Sequence, residues 1–352
     1  NQYTICISKR RSKGQSINMK HIKRNSLIIF VTTIFVLVFA LKDDFSAILT
    51  TFQKMDYRFI LLALFVYVLY LFLKAYVNYI FIDDKEKVSL KESFIHNVIT
   101  QFFNGITPFS TGGQPMEVYM LKEHHIRTTK ATNIIMQNFI VYQLALVLFG
   151  IFAVSYNGFT QILQNNGLLK NLIVLGFLIN TLVAVFLFFV AISQKFTNFV
   201  MHLIVNLGTK LHFIKDKDKM IKKWEERLVD FHQYTKELKT KKKLFILGIL
   251  LNLLSLACFY SIPLFLTYSL HDYTSLNLIA TLVASAYVLI IGSFVPIPGA
   301  TGGIEYGFIQ MFGNFLPSNE LSAIMIIWRF ITYYLGMIVG GILFNIHQGG
   351  KK

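Results

Sequence analysis

The sequence predicts an all-α, polytopic integral membrane protein: about six transmembrane helices plus two re-entrant helical hairpins arranged as an inverted repeat. Three observations predict it. Of 352 residues, 54% are hydrophobic and only 15% charged, with a mean hydropathy of +0.54; a soluble domain of this size cannot hide that much apolar surface. Apolar runs at 26–41, 59–82, 131–155, 168–193, 244–270, 278–297 and 321–345 are each long enough, or nearly so, to cross ~30 Å of hydrocarbon. Two stretches containing Gly and Pro, TPFSTGGQPMEVYMLK (107–122) and PIPGATGGIEYGFIQMFG (296–313), interrupt that greasy sequence in nearly the same way. The ~10-residue alternating segments that mark a β-barrel do not occur.

Charge placement orders the spans. The formal net charge is +16, yet its clusters lie beside apolar runs: residues 1–25 hold seven Lys/Arg and no acid, and 195–243 hold thirteen Lys/Arg against six Asp/Glu. That pattern reads as cytoplasmic retention and contact with anionic inner-leaflet lipids, not as a nucleic-acid footprint. Residues 1–25 form a basic tail, of which 1–18 are read as upstream or poorly ordered because Met19 opens MKHIKRNSLIIF. The run 26–41 lacks a small-x-small cleavage site and is read as a retained first helix.

From there the chain is expected to cross to a mixed-charge loop, 42–58, and return through 59–82. Residues 90–103 place Leu90, Phe94, Ile95, Val98, Ile99, Phe102 and Phe103 on one stripe, with His96, Asn97 and Gln101 opposite. Such a segment is too polar on one side for a lipid-exposed span. It enters the first break and emerges at the basic LKEHHIRTTK (121–130), so it dips in and returns to the same side; His124 and His125 in that cluster read as solvated. Helices 131–155 and 168–193 follow. The basic linker 195–243 carries Met220, Trp224, Leu228 and Phe231 as an interfacial stripe. Helix 244–270, a second re-entrant segment within 278–316 and helix 321–345 complete a single membrane domain, 26–346, with a cytoplasmic tail at 347–352. Both termini are expected in the cytoplasm, since any other arrangement exports a basic cluster.

The two breaks are copies. Pro108-x-x-Thr111-Gly112-Gly113, followed by Glu117, matches Pro298-x-x-Thr301-Gly302-Gly303, followed by Glu305. Downstream, IIMQNFIVYQL (134–144) matches IIWRFITYYL (326–335), pairing Asn138 with Arg329 and Tyr142 with Tyr333; the offset is 190 residues at the Thr-Gly-Gly and 191 at the aromatic run. Repeat one is about 59–155 and repeat two about 244–346. Entering from opposite faces, the breaks of such a repeat meet near the midplane.

Irregular backbone survives at membrane depth only where protein or a watery cavity satisfies it. A helix N-terminus after a glycine pair offers free N–H groups and a positive dipole end to an anion. The expected head-group site is therefore Thr111, Gly112, Gly113, Glu117, Thr301, Gly302, Gly303, Glu305 and Arg329, with Asn138, Tyr142, Tyr333 and Lys74 as secondary candidates. Alternatives stay open at two points: each Glu can cap its own helix, and Lys74 lies near enough to a helix end to snorkel. Arg329 sits far from either end of its run and is expected to pair Glu305 or hold phosphate bidentately. No catalytic residue, cofactor or metal site is expected. Walker A, Gly-x-Gly-x-x-Gly and His-Glu-x-x-His patterns are absent, and Cys6 and Cys258 suggest neither a disulfide nor a metal centre.

TPFSTGGQPMEVYMLK, PIPGATGGIEYGFIQMFG and WRFITYYLG together resemble the lysylphosphatidylglycerol synthase transmembrane-region family over about residues 20–346. That family includes the flippase half of the multiple peptide resistance factor, which connects it with lipid metabolism and antibiotic resistance. The resemblance implies a bacterial cytoplasmic-membrane protein that translocates a phospholipid or a related anionic or aminoacylated lipid. The alternative is a phosphatidylglycerol lysyltransferase, or an accessory subunit of a lipid- or glycolipid-modifying enzyme; a separate such enzyme and a second copy of the chain are partners this reading allows. The soluble aminoacyltransferase domain is not expected, as only HQGGKK follows the last run. In repeat one, MQNF (136–139) stands where many relatives carry a charged Glu-Arg.

Overall fold

The computed structural model describes residues 45–82, 86, 88–163, 167–211, 216–218, 220–222, 224–225, 228 and 242–349. The predicted tail 1–25, the helix 26–41, Phe231 and much of the basic linker lie outside them. Among the described residues the chain is helical, with no strand. Five helices are long and apolar enough to cross a membrane.

In chain order the helices are α1 (Phe45–Lys54), α2 (Tyr57–Phe81), α3 (Leu90–Ile106), α4 (Gly113–Glu123), α5 (Thr128–Thr160), α6 (Gly167–Ile192) and α7 (Gln194–Lys210). Then come α8 (Lys242–Tyr268), α9 (Leu278–Gly292), α10 (Gly303–Phe312), α11 (Ser318–Arg329) and α12 (Gly336–Gly349). A π-helical turn, Phe330–Leu335, joins α11 to α12. Single 3₁₀ turns, Pro108–Ser110 and Pro298–Ala300, occupy the two breaks.

One expectation is corrected and another is given detail. The predicted loop 42–58 contains α1, which packs against α11. The predicted linker from 195 begins as α7, where Ser193 caps the helix by accepting from the Phe196 amide at 3.2 Å and Thr197, Met201 and Val205 are buried. A basic, amphipathic stretch reads as linker in the sequence because its apolar stripe has no identifiable partner until α6 is beside it. In addition, α5 runs on to Thr160 through the predicted YNGFT connection.

Start signals explain the polar entry helix α3. Ser89 and Glu92 form a reciprocal capping box: Ser89 Oγ accepts from the Glu92 amide at 3.2 Å, and Glu92 Oε2 accepts from the Ser89 amide at 2.7 Å. That amide bond, against some burial, holds the Glu92 carboxyl below the usual carboxylate range. The polar side of α3 faces protein, not water. His96, Asn97 and Thr100 are buried, and Asn97 Nδ2 donates to the Leu71 carbonyl on α2 at 2.8 Å.

The two broken segments are built alike. In each, α3–α4 and α9–α10, the chain turns and the second helix packs back on the first. The paired turn residues share an unusual backbone: Phe109 (φ 53) and Ser110 (φ 53) in the first, Gly299 (φ 66) and Ala300 (φ 50) in the second. The threonines match too, with Thr111 Oγ1 donating to the Pro108 carbonyl at 3.0 Å and Thr301 Oγ1 to that of Pro298 at 3.1 Å.

The lead helices of the two units, α2 and α8, pack along their length in opposite directions. The Asp56 amide, just before α2, donates to the carbonyl of Ser269, just past α8, at 2.7 Å; at the other end Phe81 sits against Gly248. α3 packs on α12 and α9 on α5, the same pairing with the units exchanged. Apolar residues shield the outside: Leu61, Phe65, Leu178, Leu182, Leu250 and Leu254 are exposed, as lipid-facing positions are. α6 is the outermost long helix, with only 17% of its apolar window buried.

At Gly340 α12 comes so close to α3 that an added Cβ would meet the Val98 carbonyl oxygen at 2.4 Å. Gly340→Val is expected to cost about 1–3 kcal/mol, read as a lowered melting temperature in detergent. Gly158→Ala, with nothing within 4 Å, should leave melting unchanged or raise it slightly.

Candidate functional site: a polar cavity between two broken helices

The two 3₁₀ turns touch each other, and beside them lies a cavity of about 800 Å³. Its walls come from both units. Lys74 and Asn78 on α2, Asn104 on α3, Glu117 on α4 and Asn138 and Tyr142 on α5 face Trp328, Arg329 and Tyr333 on the last rod.

The second break is held by Arg329, only 3% exposed. Its Nε donates to Glu305 Oε1 at 2.7 Å and its Nη2 to the Gly299 carbonyl at 3.0 Å. Glu305 Oε2 in turn accepts from the Gly302 amide at 2.7 Å, so this carboxylate caps α10 and neutralises the guanidinium together. Arg329 also lies over the Tyr333 ring, 4.6 Å from its centroid. A Cβ at Gly299 would meet that ring at 2.4 Å; with its positive φ, the position suits only glycine. Tyr333 Oη closes the knot across the units, donating to the Gly105 carbonyl at 2.9 Å.

The first break uses different chemistry. Thr107 Oγ1 accepts from the Gly112 amide at 2.8 Å and Asn104 Oδ1 from the Gly113 amide at 2.9 Å. Glu117 caps nothing; its Oε1 accepts from Asn78 Nδ2 at 2.9 Å. Asn138 Nδ2 donates onward to Asn78 Oδ1 at 2.8 Å, and Asn138 Oδ1 is left buried without a partner. Lys74 does not snorkel: its Nζ lies 4.3 Å from the Tyr142 ring centroid. Each repeat thus rests a cation on the equivalent tyrosine, but from a different helix.

Of the predicted site residues, Thr111, Gly113, Glu117, Asn138, Tyr142, Lys74, Arg329 and Tyr333 line the cavity. Glu305 stands behind Arg329. Gly112, Thr301, Gly302 and Gly303 are not among the lining residues, and the amides of Gly112, Gly113 and Gly302 already donate to side chains of the chain itself. Sequence reasoning missed Asn78, Asn104 and Trp328. Asn78 was detectable as a polar residue one helical turn after Lys74 in an apolar run, which places both on one face. Among the described residues no cluster of His, Cys, Asp and Glu suits a metal ion.

Apolar helices with exposed hydrophobic exteriors, two of them broken beside a cavity with charged groups on its wall, define a polytopic membrane protein. The chain matches the family described as Lysylphosphatidylglycerol synthase TM region over residues 26–340, and it belongs to that family. It is also similar to a UPF0104 membrane protein of Archaeoglobus fulgidus, 23% identical over 282 residues, covering 72% of this chain and 76% of that protein. The chain is a multi-pass membrane protein with a lipid-related role.

Arg329→Ala leaves the Glu305 carboxylate and the Gly299 carbonyl without their cation. It is expected to destabilise by about 3–5 kcal/mol, seen as a large fall in melting temperature. Arg329→Ala combined with Glu305→Gln should melt above the single Arg variant.

Proposed function

We propose that the protein translocates a phospholipid, or a related anionic or aminoacylated lipid, across the cytoplasmic membrane. Both termini lie in the cytoplasm, and the two broken segments act as re-entrant hairpins of an inverted repeat. The observation that carries the reading is the cavity: about 800 Å³ with Lys74, Glu117, Asn138 and Arg329 on its wall, inside a bundle of apolar helices. A charged or strongly polar side chain within a membrane costs roughly 2.5–3.5 kcal/mol on insertion scales, and four gathered around one space are best explained by a polar cargo.

The lipid phosphate lies against Lys74, a cation whose ammonium makes no hydrogen bond among the described residues. The Gly112, Gly113 and Gly302 amides are spent on caps and serve to keep the turns rigid. Acyl tails remain in the surrounding bilayer while the head group crosses, and antiparallel α2 and α8 supply the surface on which one unit rocks against the other.

Reconstituted protein should accelerate the movement of a fluorescent phosphatidylglycerol between leaflets, followed by dithionite quenching. Lys74→Ala is expected to slow it about tenfold or more, and Glu305→Gln and Arg329→Ala to reduce it as well. Rates unchanged in all three variants would remove the cavity from the transport path.

A further inference from the structure

The two repeats treat their carboxylates differently, and the difference has a consequence for coupling. Glu305 has a fixed partner in Arg329. Glu117, half-buried on the cavity wall, is in no ion pair among the described residues and holds only the amide of Asn78. The cation whose field reaches it is Lys74, and Lys74 is drawn aside onto Tyr142. Lys74 is therefore shared between Glu117 and whatever anion enters.

Charge balance then restricts the cavity. With no cargo, Lys74 and an ionised Glu117 sum to zero. With an anionic lipid phosphate on Lys74, an ionised Glu117 would leave one uncompensated negative charge in a low-dielectric space, which is costly. A single proton on Glu117 restores neutrality. Its Oε1 is bound to Asn78, so Oε2 takes the proton. Asn78 links the carboxylate to Asn138, whose Nδ2 donates to Asn78 Oδ1.

On this basis, and resting on the translocation reading above, we propose that Glu117 is a proton-coupling site. An anionic lipid and one proton occupy the cavity together, whereas a zwitterionic lipid, whose ammonium faces Glu117 and Asn138, occupies it without a proton. The step is a protonation of the Glu117 carboxylate by water-borne H⁺; Lys74 stays an ammonium throughout. By linkage each ligand raises the affinity for the other.

Besides Lys74 and Glu117, the ionisable groups on the cavity wall are Tyr70, Tyr142, Tyr260 and Tyr333 and the paired Arg329; the others on the neighbouring helices do not line it. α3 contributes Lys91, Glu92 and His96, α4 itself Lys122, Glu123 and the terminal His124, α5 Lys130, and α12 His347; of the ionisable groups on α2 and α5 the walls take Tyr70, Lys74 and Tyr142. His96, His124, His347 and Glu123 form their own cluster, with His347 2.8 Å from Glu123.

The test uses the full chain in two formats. In detergent at low buffer, short-chain dihexanoyl-phosphatidylglycerol should bind with uptake of close to one proton, read by a pH dye. Glu117→Gln should bind it with none, and Lys74→Gln should show neither binding nor uptake. In proteoliposomes with the potential clamped, fluorescent phosphatidylglycerol should redistribute along an imposed pH gradient, its leaflet ratio shifting about tenfold per pH unit. The shift should vanish in Glu117→Gln, while phosphatidylethanolamine should ignore the gradient in both proteins. Lipid movement by wild type without gradient response or proton uptake overturns the coupling and leaves translocation standing. Proton uptake on binding with no lipid movement overturns translocation and leaves the site. A response to a sodium gradient in place of the proton gradient overturns the identity of the coupled ion. Helical content and melting of Glu117→Gln confirm that the variant folds; should it not, Asn78→Ala, which frees Glu117 of its amide, is expected to alter the pH dependence of proton uptake, and an unaltered dependence overturns the proposal.

Discussion

Arg329 is the constraint around which the second unit is arranged. A helix broken inside a bilayer leaves carbonyls and amides that lipid cannot satisfy. Here one guanidinium answers a freed carbonyl, that of Gly299, and binds the carboxylate that caps the following helix. The planar fork reaches both acceptors at once, which an ammonium on a flexible stem cannot do with comparable geometry. Because Tyr333 stacks beneath it and donates to Gly105 in the other unit, the pairing also fixes how the two units meet.

The first unit solves the same backbone problem with neutral groups. Thr107 and Asn104 take the glycine amides, and Asn138 occupies the position where the second unit has Arg329. Lys74 and Glu117 thus form no ion pair among the described residues, whereas Arg329 and Glu305 are committed to each other. Equivalent positions of the two repeats carry a buried ion pair in one and neutral caps in the other.

The π-helical turn after Arg329 belongs to the same design. An extra residue per turn over Phe330–Leu335 widens the helix where Arg329, Thr332 and Tyr333 face the cavity, a device that recurs at functional sites. Thr332 relieves part of the loosened ladder, with its Oγ1 donating to the Trp328 carbonyl at 2.7 Å and its own carbonyl accepting from Tyr67 Oη at 3.3 Å.

The sequence by itself determined the class: apolar runs of spanning length have no stable state in water, and Pro108 and Pro298, each followed by Thr-Gly-Gly, mark where two of the helices break. It also carried the repeat, since Pro108/Pro298, Thr111/Thr301 and Tyr142/Tyr333 recur at a nearly constant spacing, but it left Arg329 open between Glu305 and a phosphate, and the structure pairs it with Glu305. Only the tertiary structure decided that Lys74 turns inward to Tyr142, that Asn78 bridges Glu117 to Asn138, and that three glycine amides are used up by caps. It decided as well that 45–54 and 194–210 are helices. Local periodicity records which face of a segment is apolar, but the partner of each polar atom is set by helices distant in the chain, and hydrogen bonds and ion pairs depend on distances that residue spacing along one helix does not specify.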